Sequence, residues 1–320
     1  MRQWKRLLVS AGLMTAMTVT PVCAAGWQWM DQNNDNVSEC YYVQDDGTVL
    51  SGTTTPDGYT VNEQGAWVVD GVVQTQSVQS PQSGTGQVTA PRLTRNYTQT
   101  SQLSRFGYVL YSPANPGDDM ALIVYLHGHN LGDDLTDLTK DLQELRKEAD
   151  KRSNAFILAP LLPPELDRGD KGMWMGIQES VMELIESVVT TYKIDRDRVS
   201  VMGMSMGADS AIRIAAAYPE VFSCCVGIVP FHENSPMAKW EKGWGEQVKT
   251  TPAWFFVEDE TSARNLAKTV ADDITAAGGQ AWVEVMEGAN HGRAADRAES
   301  KMGAGGYGIY DWMVSVKKVR

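Results

Sequence analysis

The chain of 320 residues is 42% hydrophobic and 21% charged, too apolar for a disordered protein and long enough for two folded units. Lys and Arg number 28 against 40 Asp and Glu, a formal net charge of −12 that becomes −15 once Arg2, Lys5 and Arg6 leave with an N-terminal leader. Such an acidic surface repels phosphate backbones, so no nucleic-acid partner is expected. The cysteines Cys23, Cys40, Cys224 and Cys225 lack a C-x-x-C spacing and make neither a disulfide framework nor a zinc site.

In chain order, three cationic residues within residues 1–6 precede an uncharged stretch over 7–22, and Val22-Cys23-Ala24-Ala25 supplies small residues for cleavage. This reads as a signal peptide over residues 1–25, which makes the mature protein secreted or cell-wall-associated. A single-pass anchor is the rival reading. Thr15, Thr18, Thr20 and Pro21 interrupt the stretch and leave it short of the roughly 20 apolar residues that a span requires. Val22 before Cys23 argues against a lipid-modified cysteine, whose signal wants a small residue there.

Residues 26–73 are short and aromatic-rich, with Trp27, Trp29, Tyr41, Tyr42, Tyr59 and Trp67 set among the turn residues Asp46-Gly47, Asp57-Gly58 and Gly65. That spacing predicts several β-hairpins. The segments Gly26-Trp27, Glu39-Cys40-Tyr41-Tyr42, Gly47-Thr48-Val49-Leu50, Pro56-Asp57-Gly58-Tyr59 and Gly65-Ala66-Trp67 resemble the cell-wall-binding, choline-binding-type repeats of Gram-positive surface proteins. The resemblance covers about one and a half to two repeats, fewer than the three or so that such arrays need for stability. It implies attachment to a Gram-positive cell wall. Asp31-x-Asn33-x-Asp35 imitates the start of a calcium loop, but Asn36 stands where the turn glycine belongs and Tyr42 where the bidentate Glu belongs, so no calcium site is expected.

Residues 74–91 contain no charged side chain until Arg92 and are rich in Gln, Ser, Thr, Gly and Pro, the composition of a flexible linker. Residues 92–320 form the large domain. Near-continuous apolar runs at 120–126 and 155–158 read as strands buried on both faces. Further strands fall at 199–202, 224–229, 253–257 and 281–286, and helices at 135–149, 177–192, 206–217, 262–277 and 310–319. Alternation of this kind predicts an α/β domain, a mostly parallel sheet wrapped by helices, with its chemistry at the carboxyl ends of the strands.

Gly203-Met204-Ser205-Met206-Gly207 lies between a strand and a helix, the context in which G-x-S-x-G forms a sharp turn that exposes a serine nucleophile. That serine needs a base, and the chain has four histidines, His127, His129, His232 and His291. His291 follows the last strand, where a loop can return over Ser205. Glu258-Asp259-Glu260 follows the penultimate strand, so the order serine, acid, histidine is that of an α/β-hydrolase. Asp259 is the expected acid, with Glu258 its main competitor. Glu260 is expected to sit before a helix whose N-cap is Thr261 or Ser262. The oxyanion donors are expected to be the backbone N–H groups of Met206 and of His129, with Asn130 as the alternative. His127-x-His129 has no third ligand placed by sequence, so neither a metal nor a cofactor is called for. His127 is instead expected to brace its loop. Gly303-x-Gly305-x-x-Gly308 matches a dinucleotide fingerprint only as a string, since no strand precedes it. Trp174, beside Met173 and Met175, and His232, past the strand at 224–229, are the expected substrate-pocket residues.

The large domain resembles the secreted esterase branch of the α/β-hydrolases, which includes polyhydroxybutyrate depolymerases, feruloyl esterases and prolyl-oligopeptidase-like peptidases. The matching residues are Leu126-His127-Gly128, Tyr192 to Ile194 with Asp195-Arg196-Asp197-Arg198-Val199, Gly203-Met204-Ser205-Met206-Gly207, Tyr218-Pro219 with Phe222, and Gly288 to Gly292. Two departures stand out: Ala208 replaces a frequent second glycine, and Val257-Glu258-Asp259 replaces the usual His-Gly-x-x-Asp. The resemblance implies a serine carboxylic-ester hydrolase acting through an acyl-enzyme on feruloyl or acetyl esters of polysaccharide, or on polyester. The alternatives are a serine peptidase and a non-catalytic cell-wall adhesin, and an intact serine, histidine and acid argue against the adhesin.

Overall fold

The computed structural model describes residues 26–30, 37–44, 46, 48–56, 58–69, 71–77, 90–129, 135–166, 173–231, 240–303 and 308–318. The chain divides into two compact units, Met1–Gly84 and Thr85–Arg320. The expected leader, the Asp31 to Asn36 calcium-loop mimic and most of the expected linker lie outside the described residues.

In the first unit, β1 (Gly26–Met30) pairs antiparallel with β2 (Val37–Val43). A second small antiparallel sheet joins β3 (Thr60–Val61), β4 (Trp67–Val69) and β5 (Val72–Val73). The chain then returns to β2 through β6 (Thr75–Ser77). The linker expected from Gln74 thus gives up its first residues to a strand. Polar Thr75-Gln76-Ser77 is held by backbone pairing with Val37, Ser38 and Glu39, which composition does not register. Trp27 meets Tyr42, Tyr59 and Trp67 with ring centroids at 5.3, 5.8 and 5.7 Å. Cys40, Tyr41, Val43, Val61 and Ala66 are buried in this unit.

The second unit opens with two strands that the sequence pattern does not announce, β7 (Arg92–Thr98) and β8 (Phe106–Ser112). There follow β9 (Ala121–Leu126), α1 (Leu135–Asp141), α2 (Gln143–Arg152), β10 (Ala155–Pro160), α3 (Gln178–Thr191), β11 (Val199–Met204), α4 (Met206–Ala217) and β12 (Cys225–Ile228). The unit ends with α5 (Gly245–Val248), β13 (Ala253–Glu258), α6 (Thr261–Ala276), β14 (Ala281–Met286), α7 (His291–Ser300) and α8 (Ile309–Ser315). The helix expected over 135–149 is two helices meeting at Leu142, and the one expected over 310–319 is the shorter α8.

The eight strands form one sheet in the order β14-β13-β12-β11-β9-β10-β8-β7. Strands β9 to β14 are mutually parallel, and β8 and β7 close one side antiparallel. Both faces are covered, which is why β9 and β10 are apolar at every position and buried throughout. On one face Leu122, Val124, Val201, Phe255 and Val257 pack with side chains of α3, α4 and α6. On the other, Ile123, Tyr125 and Phe256 pack with α1, α2, α7 and α8. After β9 the chain adds β10 on one side, then returns to place β11 on the other. The carboxyl ends of β9 and β11 therefore form a topological switch point, where open α/β sheets hold their sites.

Candidate active site

Ser205 is the single residue between β11 and α4, with φ 53° and ψ −120°. This positive-φ conformation is strained for a serine and is what a tight strand-to-helix reversal imposes. Two close approaches make the flanking glycines obligatory. A Cβ on Gly207 would overlap the Leu126 carbonyl oxygen and lie 2.5 Å from that of His127, and one on Gly203 would overlap the Gly207 carbonyl. The elbow is thereby pressed onto the end of β9. Gly128 completes the approach: a Cβ there would lie 3.4 Å from that of Ser205. The Ser205 N–H donates to the Ile228 carbonyl at 2.8 Å, tying the elbow to β12 on its other side.

His291 Nε2 lies 3.0 Å from Ser205 Oγ, and His291 Nδ1 lies 2.9 Å from Glu258 Oε2. With Nδ1–H donating to the carboxylate, Nε2 is left as the acceptor for the serine proton. His291 is the first residue of α7, and Asn290 caps that helix by accepting the Arg293 N–H at 3.2 Å. A helix thus stands where the sequence pattern suggests a loop. The cap fixes the histidine backbone at the start of that helix.

The acid on the imidazole is Glu258, which corrects the expectation of Asp259. Glu258 is the last residue of β13 and is 2% exposed. Asp259 instead has partners of its own. Its carboxylate accepts the Gly288 N–H and the Arg264 guanidinium, both at 2.8 Å, while its own N–H donates to the Ala289 carbonyl at 2.9 Å. It clasps the loop that leads into His291 without touching the ring. Glu260 is itself the N-cap of α6, accepting the Ser262 and Ala263 N–H groups at 2.9 Å, so neither Thr261 nor Ser262 serves as the cap.

Met206, the first residue of α4, carries a backbone N–H that the helix cannot satisfy internally, at the end where the macrodipole favours negative charge. His129 is exposed and follows Gly128 directly; Asn130 lies outside the described residues. His127 is almost fully buried. Its Nε2 accepts the Leu162 N–H at 3.0 Å, which assigns the proton to Nδ1, 2.7 Å from the Gly128 carbonyl. These bonds brace the loop at the end of β9, the part expected of it. Trp174, an expected pocket residue, is 0% exposed, and its Nε1–H donates to the His127 carbonyl at 3.1 Å. Its size and loop setting suggest a pocket wall from sequence alone, and the indole is spent on holding the end of β9. His232 lies outside the described residues. The glycine string from Gly303 follows helix α7 rather than a strand, and Gly303 packs against the Glu148 carboxylate. Among the described residues no group of three or more His, Cys, Asp and Glu is arranged to hold a metal ion.

Residues 168–234 match the family model described as Esterase PHB depolymerase, a span that contains α3, β11, the Ser205 elbow, α4 and β12. No curated protein matches the sequence. Among solved structures, a thermostable esterase is similar with a TM-score of 0.57 at 16% identity, over 80% of this chain and 70% of that one. An S-formylglutathione hydrolase from Agrobacterium tumefaciens gives a TM-score of 0.54 at 14% identity, over 72% of this chain and 97% of that one. The S-formylglutathione hydrolase FrmB from Staphylococcus aureus gives 0.52 at 12% identity, over 72% and 99%. With the eight-stranded, mostly parallel sheet, these likenesses show the α/β-hydrolase fold that the sequence led us to expect.

Proposed function

We propose that the protein is a serine carboxylic-ester hydrolase. The observation that carries this reading is the unbroken hydrogen-bonded line from Ser205 Oγ through His291 to Glu258, with the serine held at positive φ on a strand-to-helix elbow. In the first step Ser205 Oγ bonds to the ester carbonyl carbon while His291 Nε2 takes its proton, and the carbonyl electron pair moves onto oxygen. The N–H groups of Met206 and His129 receive that oxyanion. Glu258 holds the ring by accepting its Nδ1–H and stabilises the imidazolium. Collapse breaks the bond to the alcohol, which leaves with the proton from His291, and water then repeats the sequence to free the acid.

The substrates are esters carried on a polymer, feruloyl or acetyl groups on polysaccharide or a polyester. The matched family description and the esterases among the similar structures support an ester over a peptide. The protein acts outside the cell after loss of its leader, and the aromatic first unit holds it to a Gram-positive cell wall. A panel of p-nitrophenyl esters of increasing acyl length, run beside peptide p-nitroanilides, tests the reaction class. Ester turnover abolished by Ser205→Ala is the expected result, and turnover of the anilides alone would replace the reading with a peptidase.

A further inference from the structure

We infer that Asp209 is a positioning residue whose buried carboxylate holds the turn leaving β12 against the Ser205 elbow. The inference rests on the serine-hydrolase reading and assigns a part to a residue which that reading leaves unused. Asp209 lies in the first turn of α4, one turn beyond Ser205, and is 1% exposed. A carboxylate is costly to bury unless hydrogen bonds replace its water. Of the neighbouring buried positions Ala208, Ala211 and Ile212 are apolar, as the inner face of such a helix ordinarily is, and Ser210 turns its hydroxyl back to the Met206 carbonyl, so Asp209 is the charged group among them. The acid is therefore an exception that needs a local cause.

Part of that cause is the charge of Arg213, one turn further along α4, and part is the turn after β12. Asp209 Oδ1 accepts the Phe231 N–H at 2.7 Å. Val229 and Phe231 both have positive φ, 47° and 66°, which non-glycine residues seldom adopt and a β-branched valine least of all. Strain of this kind persists only where the surroundings over-determine it. The surroundings here are the two elements that carry the catalytic line. Ser205 N–H donates to the Ile228 carbonyl at 2.8 Å, and Val229 N–H donates to the Phe256 carbonyl at 2.7 Å, two residues before Glu258. Asp209 adds the third tie, and its own N–H bonds the Ser205 carbonyl at 3.1 Å. One residue thus links the nucleophile, through its backbone N–H, to the turn wedged between the nucleophile and the acid, through its carboxylate. Without that acceptor the turn relaxes towards ordinary φ values and drags on Ser205.

The test is the second-order rate at which a fluorophosphonate inactivates the full chain, since this probe needs an activated serine but no recognised ester. Asp209→Ala is expected to slow inactivation about ten- to a hundredfold, as small misplacements of reacting groups do, while Asp209→Asn, whose amide oxygen still accepts the Phe231 N–H, stays within about threefold of the original rate. Cooperative thermal melting shows that each variant is folded. If Asp209→Ala does not fold, Asp209→Ser, too short to reach Phe231, is expected to show the same slowing. A folded Ala or Ser variant reacting at the original rate overturns the role, as does an Asn variant slowed as much as the Ala variant. A natural chain that leaves the probe untouched overturns the serine-hydrolase reading, and Asp209's role falls with it.

Discussion

Glu258 reaches His291 from the last position of β13, its Oε2 2.9 Å from the ring Nδ1, while the very next residue turns its carboxylate to the Gly288 N–H instead. Adjacent acids thus divide the work of orienting the ring and of holding its loop. Glu258→Gln is expected to lower kcat about 10³- to 10⁴-fold by destabilising the productive tautomer and orientation of the imidazole. Asp259→Asn retains an acceptor for Gly288, and it and Glu260→Gln are expected to cost less than about tenfold. Steady-state kinetics on the three variants decides between them, and a collapse at Asp259 with Glu258→Gln active contradicts the geometry.

Gly207 has no room for a side chain. Gly207→Ala drives a methyl group into the Leu126 carbonyl, backbone that cannot swing aside, and is expected to destabilise the second unit by about 1 to 3 kcal/mol or more. It should also cost activity by displacing the elbow. Thermal melting beside ester turnover checks both, and an unchanged melting temperature would mean that the elbow does not press on β9.

Glu299, on the same helix as His291, predicts a dependence of stability on pH. Burial, and after it the charges of Asp141, Asp296 and Glu144, push its carboxyl up from 4.5 to about 7. Between those values the folded chain holds a proton that the unfolded chain has released. The favourable contribution is therefore complete below about 4.5 and is lost as pH rises through about 7. Glu299→Gln should raise the melting temperature at pH 8 and change it little near pH 4.5. An equal shift at both pH values would remove Glu299 as the source.

Ser205, His291 and Glu258 all fall within Thr85–Arg320. Residues 85–320 alone are accordingly expected to hydrolyse a small soluble ester with the kcat/KM of the full chain, while the proposed retention on Gram-positive cell wall is expected to fall. Loss of turnover on truncation would place the first unit in the active site.

The parallel strands are legible in the sequence because burial on both faces leaves them almost wholly apolar: Ala121–Leu126 and Ala155–Pro160 admit no other economical reading. Strand β7, Arg-Leu-Thr-Arg-Asn-Tyr-Thr, is not, because it lies at the sheet edge, half exposed and mostly polar. Helix α7 escapes notice for a different reason. It docks through the small residues Ala294 and Ala298, which leave no large apolar stripe to count. The acid turns on parity along β13. Phe255 and Val257 face the α4 and α6 side, and Phe256 faces the α7 side, so Glu258 shares the face of the histidine helix. Counting back from Gly278-Gly279 carries no information about that alternation. Extending the strand by one residue supplies it.

Intact-protein mass spectrometry after treatment with a fluorophosphonate reads out the proposed activated nucleophile, Ser205, by the mass it gains. One covalent adduct per chain is expected, mapped to Ser205 by peptide sequencing and absent from Ser205→Ala. A folded natural chain that gains no mass, or an adduct that persists in Ser205→Ala, would contradict that role for Ser205.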